Sequence, residues 1–183
     1  GTINQRQDEF GGSIKNRMRP ITEIIDGIRT RCRPDFLLGL RLSPERFDVH
    51  LPDIVEVAKN VLSAGKIDFL DMSLWDSFKE PEDEAFKGRT LLSYFTELER
   101  GNVALGIAGK LRNPSEINQA MAAEIDFVML GRAAIIHHDF PRQMQEDSNF
   151  TPMRTPVSAD HLRKEGLGEA FVTYMSGWKG FVG

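Results

Sequence analysis

The sequence has a single cysteine, Cys32, in 183 residues. A disulfide within the chain is excluded, and a reducing cytoplasm is the expected location. Arg31 and Arg33 flank Cys32, but a lone thiol at a helix end reads as a bystander. There is no uninterrupted apolar run of about 18 residues, so no membrane span is predicted. The first residues show no positively charged stretch leading into an apolar one, so no secretion signal is expected. Positive charge is not in excess either: 23 Lys and Arg face 27 Asp and Glu, a net charge of -4. A nucleic-acid face would leave a basic surplus, and none is expected. An initiator methionine is also lacking. The chain opens on Gly1 and reaches a capped helix within a dozen residues, and we expect it to be the later half of a longer protein.

What is present is alternation. Ser13 is a helix cap, and Ile14, Met18, Ile21, Ile24, Ile25 and Ile28 recur at steps of three and four, predicting an amphipathic helix that ends near Arg31. Pro20 falls inside it and predicts a kink or a restart. The run 36–43 reads as a strand buried on both faces. A helix over 51–65 stops at Gly65, and a second strand follows over 66–73. The charged stretch from Trp75 to Arg89 reads as a surface loop. A helix over 89–101 and a third strand over 102–109 come next. Asn113 and Pro114 open a helix over 113–124, and 125–131 reads as a fourth strand. Strand and helix thus alternate four times, the pattern of right-handed βαβ units on a parallel sheet. A doubly wound sheet and a (β/α)8 barrel both fit. A whole barrel takes about 250 residues, so the expected fold class is α/β, the C-terminal half of a barrel with a helical tail. The expected domains are a half barrel over 1–149 and a linker with an amphipathic helix over 150–183.

Ligand chemistry in such folds gathers where strands end. The third strand ends in AGKLRNP, where Gly109 clears space and Lys110 brings a cation. The fourth ends in LGRAAII, where Gly131 clears space and Arg132 brings a planar donor fork. Together they read as a phosphate site. Arg41 stands out in an apolar strand. Read as a buried charge, it requires a partner, either a structural carboxylate or an anionic or electron-rich ligand. Trp75 follows the second strand at the expected rim of the site and reads equally as a pocket wall or as a packed loop aromatic. His137 and His138 point apart and no third ligand is evident, so no metal site is predicted. Asp68 and Asp71 lie three apart in a strand, face opposite sides and are not an acid/base pair. In the tail, Phe171, Tyr174, Trp178 and Phe181 form a stripe expected to bury, either on the chain's own barrel or on a neighbouring subunit.

The stretch from Asn4 to Arg19, with DEFGGS at its centre, closely resembles the segment after the fourth strand in the Old Yellow Enzyme family of FMN-dependent NAD(P)H:flavin oxidoreductases. GLRLS (39–43) is similar to its fifth strand, and AGKLRNP (108–114) and LGRAAIIHHDFP (130–141) to its seventh and eighth strand ends, in the same order. The resemblance implies a (β/α)8 barrel holding FMN at its C-terminal mouth. It implies that Arg41 contacts the pyrimidine edge of the flavin, and that Gly109, Lys110, Gly131 and Arg132 lie about its phosphate. It implies an enzyme that takes hydride from NADH or NADPH and reduces an activated alkene, such as an α,β-unsaturated carbonyl, or another acceptor. The family's substrate-gripping His-x-x-Asn or His-x-x-His pair belongs to the first half of the barrel, so catalytic residues are not assigned here and the chain alone is expected to be inactive. A half barrel leaves strand edges and an inner face open, so a homo-oligomer or a complementing half is the expected partner, besides a small-molecule substrate. Two alternatives stay open: a flavin-free barrel aldolase or isomerase acting on a sugar phosphate, and a non-catalytic assembly domain.

Overall fold

A computed structural model describes residues 3–183; Gly1 and Thr2, the first residues of the expected half barrel, lie outside it. The chain forms two compact units. Unit 1 comprises residues up to Lys110 together with Ala120–Met129, and unit 2 comprises Leu111–Gln119 and Leu130–Gly183.

Unit 1 is built on a parallel sheet of four strands: β1 (Gly39–Leu42), β2 (Phe69–Ser73), β3 (Ala104–Ala108) and β4 (Phe127–Val128). Their order in space is their order in sequence. A doubly wound sheet reverses direction at a switch point, and this one has none, which is the progression of a barrel wall. Ahead of the sheet, Ser13 caps α1 (Ile14–Arg17) by accepting the Asn16 N–H. Pro20 then sits in the first turn of α2 (Arg19–Arg31), so it marks a restart. α3 (Leu51–Ala64) ends at Gly65 in the left-handed conformation, φ 61°.

One face of the sheet carries Leu70, Met72, Leu105 and Ile107, all fully or nearly buried. The other face differs from the expectation of a strand buried on both sides. It carries Arg41, Asp71 and Ser73 beside Gly39, Phe69, Gly106 and Phe127. Its glycines make room for rings: a Cβ on Gly39 would lie 2.1 Å from the Phe69 ring, and one on Gly106 would lie 2.0 Å from Phe127. The two rings meet edge to face at 5.7 Å.

The helix expected over 89–101 shrinks to one turn, α4 (Ser93–Thr96). Local side-chain bonds hold the backbone instead: Ser93 Oγ donates to the Thr90 carbonyl at 2.7 Å, and Arg89 Nε donates to Ser93 Oγ at 2.7 Å. The Leu91 N–H donates to the Lys79 carbonyl and so ties this stretch to the charged loop before it. The fourth strand is also shorter than expected, although Asp126 and Met129 extend its ladder by donating to Leu105 and Ile107.

Asn113 caps α5 (Pro114–Met121), its side-chain oxygen accepting the Glu116 N–H at 2.9 Å. Unit 2 adds α6 (Arg132–Ile136), α7 (Phe140–Glu146), α8 (Ala159–Lys164) and α9 (Glu169–Ser176). Ile136, Val157, Leu162, Val172, Met175 and Phe181 form its core. Of the tail stripe only Phe181 is buried within the chain; Phe171, Tyr174 and Trp178 are exposed, so they do not pack on the chain itself. The helix faces inward with Val172 and Met175, and the aromatics stand outside as a ladder of rings 5.7 to 6.0 Å apart. No helix among the described residues is long and apolar enough to cross a membrane.

Candidate functional site

In unit 1 the register sets Arg41 directly beside Asp71 on the neighbouring strand. Arg41 Nη1 lies 3.4 Å from Asp71 Oδ2, and Nη2 donates to Ser73 Oγ at 3.0 Å. Asp71 is buried, and its Oδ1 has no hydrogen-bond partner among the described residues. Burial pushes the Asp71 carboxyl above the usual range, and the facing guanidinium draws it partway back. The arginine itself is not buried as the sequence suggested: its side chain is 54% exposed. It has its structural carboxylate and still presents donors on the open face of the sheet. Asp68 sits apart from this pair, joined to Arg29 at 2.7 Å and accepting the Leu38 N–H.

Beyond β3, Gly109 is pressed against the next loop, not against open space. A Cβ there would meet the Ser77 N at 2.9 Å, and the Gly109 carbonyl accepts both the Ser77 N–H and its Oγ–H. Lys110 follows in the left-handed region at φ 51°, its Nζ 3.0 Å from Asp76 Oδ2. Burial resists ionisation of Asp76, but Lys110 and the Phe78 N–H outweigh it and hold the carboxyl below its usual range. Trp75 ends β2's following turn at φ 62°, half exposed, with Arg46 stacked 4.2 Å over its ring and Phe47 at 6.0 Å.

In unit 2, Gly131 precedes α6 and has no atom near the position a Cβ would take. Arg132 is exposed, and among the described residues its side chain has no ion-pair or hydrogen-bond partner.

The model of the NADH:flavin oxidoreductase / NADH oxidase family matches residues 1–150. The chain belongs to that family. Cinnamate reductase of Clostridium sporogenes is 28% identical over 167 residues, covering 79% of this chain and 25% of that protein. The flavin oxidoreductase hxnT of Emericella nidulans is 26% identical over 169 residues, covering 81% of this chain and 43% of its own length. A solved structure of morphinone reductase in complex with tetrahydroNAD superposes with a TM-score of 0.61 at 21% identity, over 87% of this chain and 41% of that one. The chain therefore spans less than half the length of these relatives, and its fold is that of part of their barrel.

The histidines turn out differently from the sequence reading. A third ligand type is present: His137, His161 and Glu165 bring ligand atoms within 4.8 Å of one another. In each of the two histidines one ring nitrogen is already engaged. His137 Nε2 accepts the Met153 N–H at 2.9 Å, which leaves the ring proton on Nδ1, and His161 Nε2 donates to the Ile136 carbonyl at 2.7 Å. Both rings serve as fasteners for the C-terminal segment. Glu165 does the same for His138, accepting from its N–H and its Nδ1.

Proposed function

We propose that this chain supplies part of the FMN site of an oxidoreductase that takes hydride from NADH or NADPH and delivers it to an activated alkene or another acceptor. The observation that carries the reading is Arg41, anchored by Asp71 and Ser73 yet more than half exposed on the open sheet face. Such a guanidinium fits the electron-rich pyrimidine edge of a flavin, where a fixed cation steadies negative charge. Bound FMN supplies the ring that accepts and returns hydride. Asp71 orients Arg41 and limits its charge to a defined direction. Gly109 and Lys110 at the end of β3, and Gly131 and Arg132 before and in α6, are assigned to the phosphate. Trp75 with Arg46 is assigned to the rim over which substrate passes.

The remaining βα units of the barrel, with the groups that grip the substrate, would come from a further segment. What supports this is the span of the chain against its relatives. A half barrel over 1–149 and a tail over 150–183 remain the assigned domains. A cytoplasmic setting and a second copy of the chain as partner complete the proposal, the latter supported by the exposed ladder from Phe171 to Trp178.

Titrating FMN against the chain, and against R41A and R132A variants, tests the site. The expected outcome is weaker flavin binding in both variants. Equal affinity in all three overturns the reading.

A further inference from the structure

The loops that follow β1 and β2 meet at Trp75, and both hold backbone that is costly for their side chains. After β1, the Val49 N–H donates to the Arg46 carbonyl at 2.9 Å, closing a turn whose central residues, Phe47 and Asp48, lie at φ 53° and 62°. A turn of that kind favours Gly or Asn at both places. Arg46 itself lies at φ 69°. After β2, the Asp76 N–H donates to the Leu74 carbonyl at 2.7 Å, a three-residue turn with Trp75 at its centre. With its central residue at φ 62° this is the rare and strained form of such a turn, and a bulky ring is a poor occupant. Backbone of this kind persists only where its surroundings fix it.

On the β3 side the fixing groups are the main-chain bonds to Ala108 and Gly109: the Leu74 N–H donates to the first at 2.7 Å and the Ser77 N–H to the second at 3.1 Å. On the β1 side the fixing group is a chain of charges. Glu45 is buried, and its Oε1 accepts the Glu82 N–H at 2.5 Å. Lys79, largely buried as well, has its Nζ 2.6 Å from Glu45 Oε2 and 3.0 Å from Glu82 Oε1. Glu82 Oε1 also accepts from Arg46 Nε at 2.9 Å, and the Arg46 guanidinium lies over the Trp75 ring.

The two ends of this chain differ in strength. Arg46 and Glu82 are both half exposed, and water leaves such a pair with little to contribute. It cannot by itself keep two strained loops in place. Glu45 and Lys79 lie further inside, where charges are screened less and loss of one partner leaves the other uncompensated. Burial opposes the charge on Lys79, but Glu45 and Glu82 outweigh it and hold its pKa above the usual value. Pro44 and Pro81, both fully buried, stiffen the backbone leading into the two glutamates.

We propose that Glu45 is a positioning residue: through Lys79 and Glu82 it holds Arg46 against Trp75, so that the indole stands as a fixed wall at the C-terminal ends of β1 and β2. The use of that wall for substrate rests on the oxidoreductase reading, in which Trp75 lines the rim; its rigidity does not. A fixed indole suits the flat, unsaturated part of a substrate, because the ring then needs no ordering on binding.

The chain has two tryptophans, Trp75 and Trp178, so a W178F background isolates the first. Time-resolved fluorescence anisotropy then reads how freely the Trp75 indole turns, with no ligand present. E45A, E82A, R46A and V61A are each made in that background, V61A altering a buried residue of α3 outside the chain of charges. Circular dichroism and urea melts check folding, and E82A, at an exposed position, keeps the test open if E45A does not fold. In the W178F parent the indole is expected to turn with the whole chain. In E45A, E82A and R46A the amplitude of nanosecond local motion is expected to rise at least about twofold, while V61A, though less stable, keeps the parent's decay. E45A/R46A is expected to go no further than R46A, because Glu45 acts through Arg46. Equal loosening in V61A, an unchanged decay in E82A, or an E45A/R46A effect that is the sum of the two would each overturn the proposal. FMN titration of the parent separates the two readings. If FMN binds and E82A leaves the indole fixed, the flavin reading stands and the positioning role falls. If E82A frees the indole and FMN does not bind, the positioning role stands and the flavin reading falls.

Discussion

His137 Nε2 accepts the backbone N–H of Met153 at 2.9 Å, across sixteen residues of sequence. That bond requires a lone pair on the imidazole, so the fastening of the C-terminal segment depends on a neutral histidine. Burial lowers the basicity of His137; Glu165 and Asp139 oppose this and His161 adds to it. The folded state thus binds fewer protons at this site than the unfolded chain, whose imidazole has the ordinary value of 6.5. The stabilisation is complete above that value and is lost as pH falls through the lower folded value. His138 runs the other way: its hydrogen bond to Glu165 raises it, so its contribution is present below 6.5 and fades as pH rises. His137→Gln keeps an acceptor but does not titrate. The variant is expected to lose less stability than the parent between pH 7 and pH 5 in denaturant titrations. Equal losses would refute the dependence.

Asp71 holds a buried carboxylate beside a half-exposed guanidinium. Its folded value is raised by burial, so the folded state binds more protons than the unfolded one and the site costs stability once pH exceeds the ordinary carboxylate range. Asp71→Asn removes that cost and leaves Arg41 in contact with solvent. Its thermal midpoint at pH 7 is expected to equal or exceed the parent's, while FMN binding weakens as Arg41 loses its anchor. A drop of about 3 kcal/mol, the scale of breaking a buried pair, would instead make the ion pair structural.

Arg41 also shows how far the sequence could be read. Its place in an apolar strand is plain in the sequence, but the burial inferred from that place is not what the fold gives it. The partner was hidden because cross-strand register is a long-range property: Asp71 lies thirty residues on, and nothing local marks it. The alternation of strands and helices was legible because it rests on apolar runs and on stops such as Gly65. The helix expected over 89–101 failed because Thr90 and Ser93 satisfy the backbone locally. In the tail, the aromatic steps of three and four single out Phe181, which does reach the core, but on the helix itself the core is filled by Val172 and Met175, on the face adjoining the rings. The chain of charges from Glu45 to Arg46 was invisible as a group, since Lys79 and Glu82 are brought to it only by folding.

Gly39 and Phe69 are matched across β1 and β2, and the ring fills the space a Cβ would need. Gly39→Ala is expected to cost about 1–3 kcal/mol by overpacking. Phe69→Leu alone is expected to be destabilising too, because a ring contact with Phe127 is lost. The double variant is expected to be more stable than the sum of the two, by at least about 0.5 kcal/mol in a double-mutant cycle from urea melts. Strict additivity would show that the Gly39 backbone tolerates a methyl group without displacing the ring.

The exposed rings of Phe171, Tyr174 and Trp178 supply the remaining prediction. Aromatic rings set tilted and edge to face in a row along α9 and just past its end are poorly matched to water, and such surfaces associate. Val172 and Met175 keep the helix seated on its core, so the double variant F171S/Y174S is expected to fold with an unchanged far-ultraviolet spectrum. Sedimentation velocity is expected to give a dimer or larger species for the parent and a slower species for the variant at equal concentration. The strand edges at β1 and β4 offer a second route to association. If the parent is a monomer, neither surface drives self-association; if parent and variant form the same oligomer, the edges and not the aromatic ladder hold it.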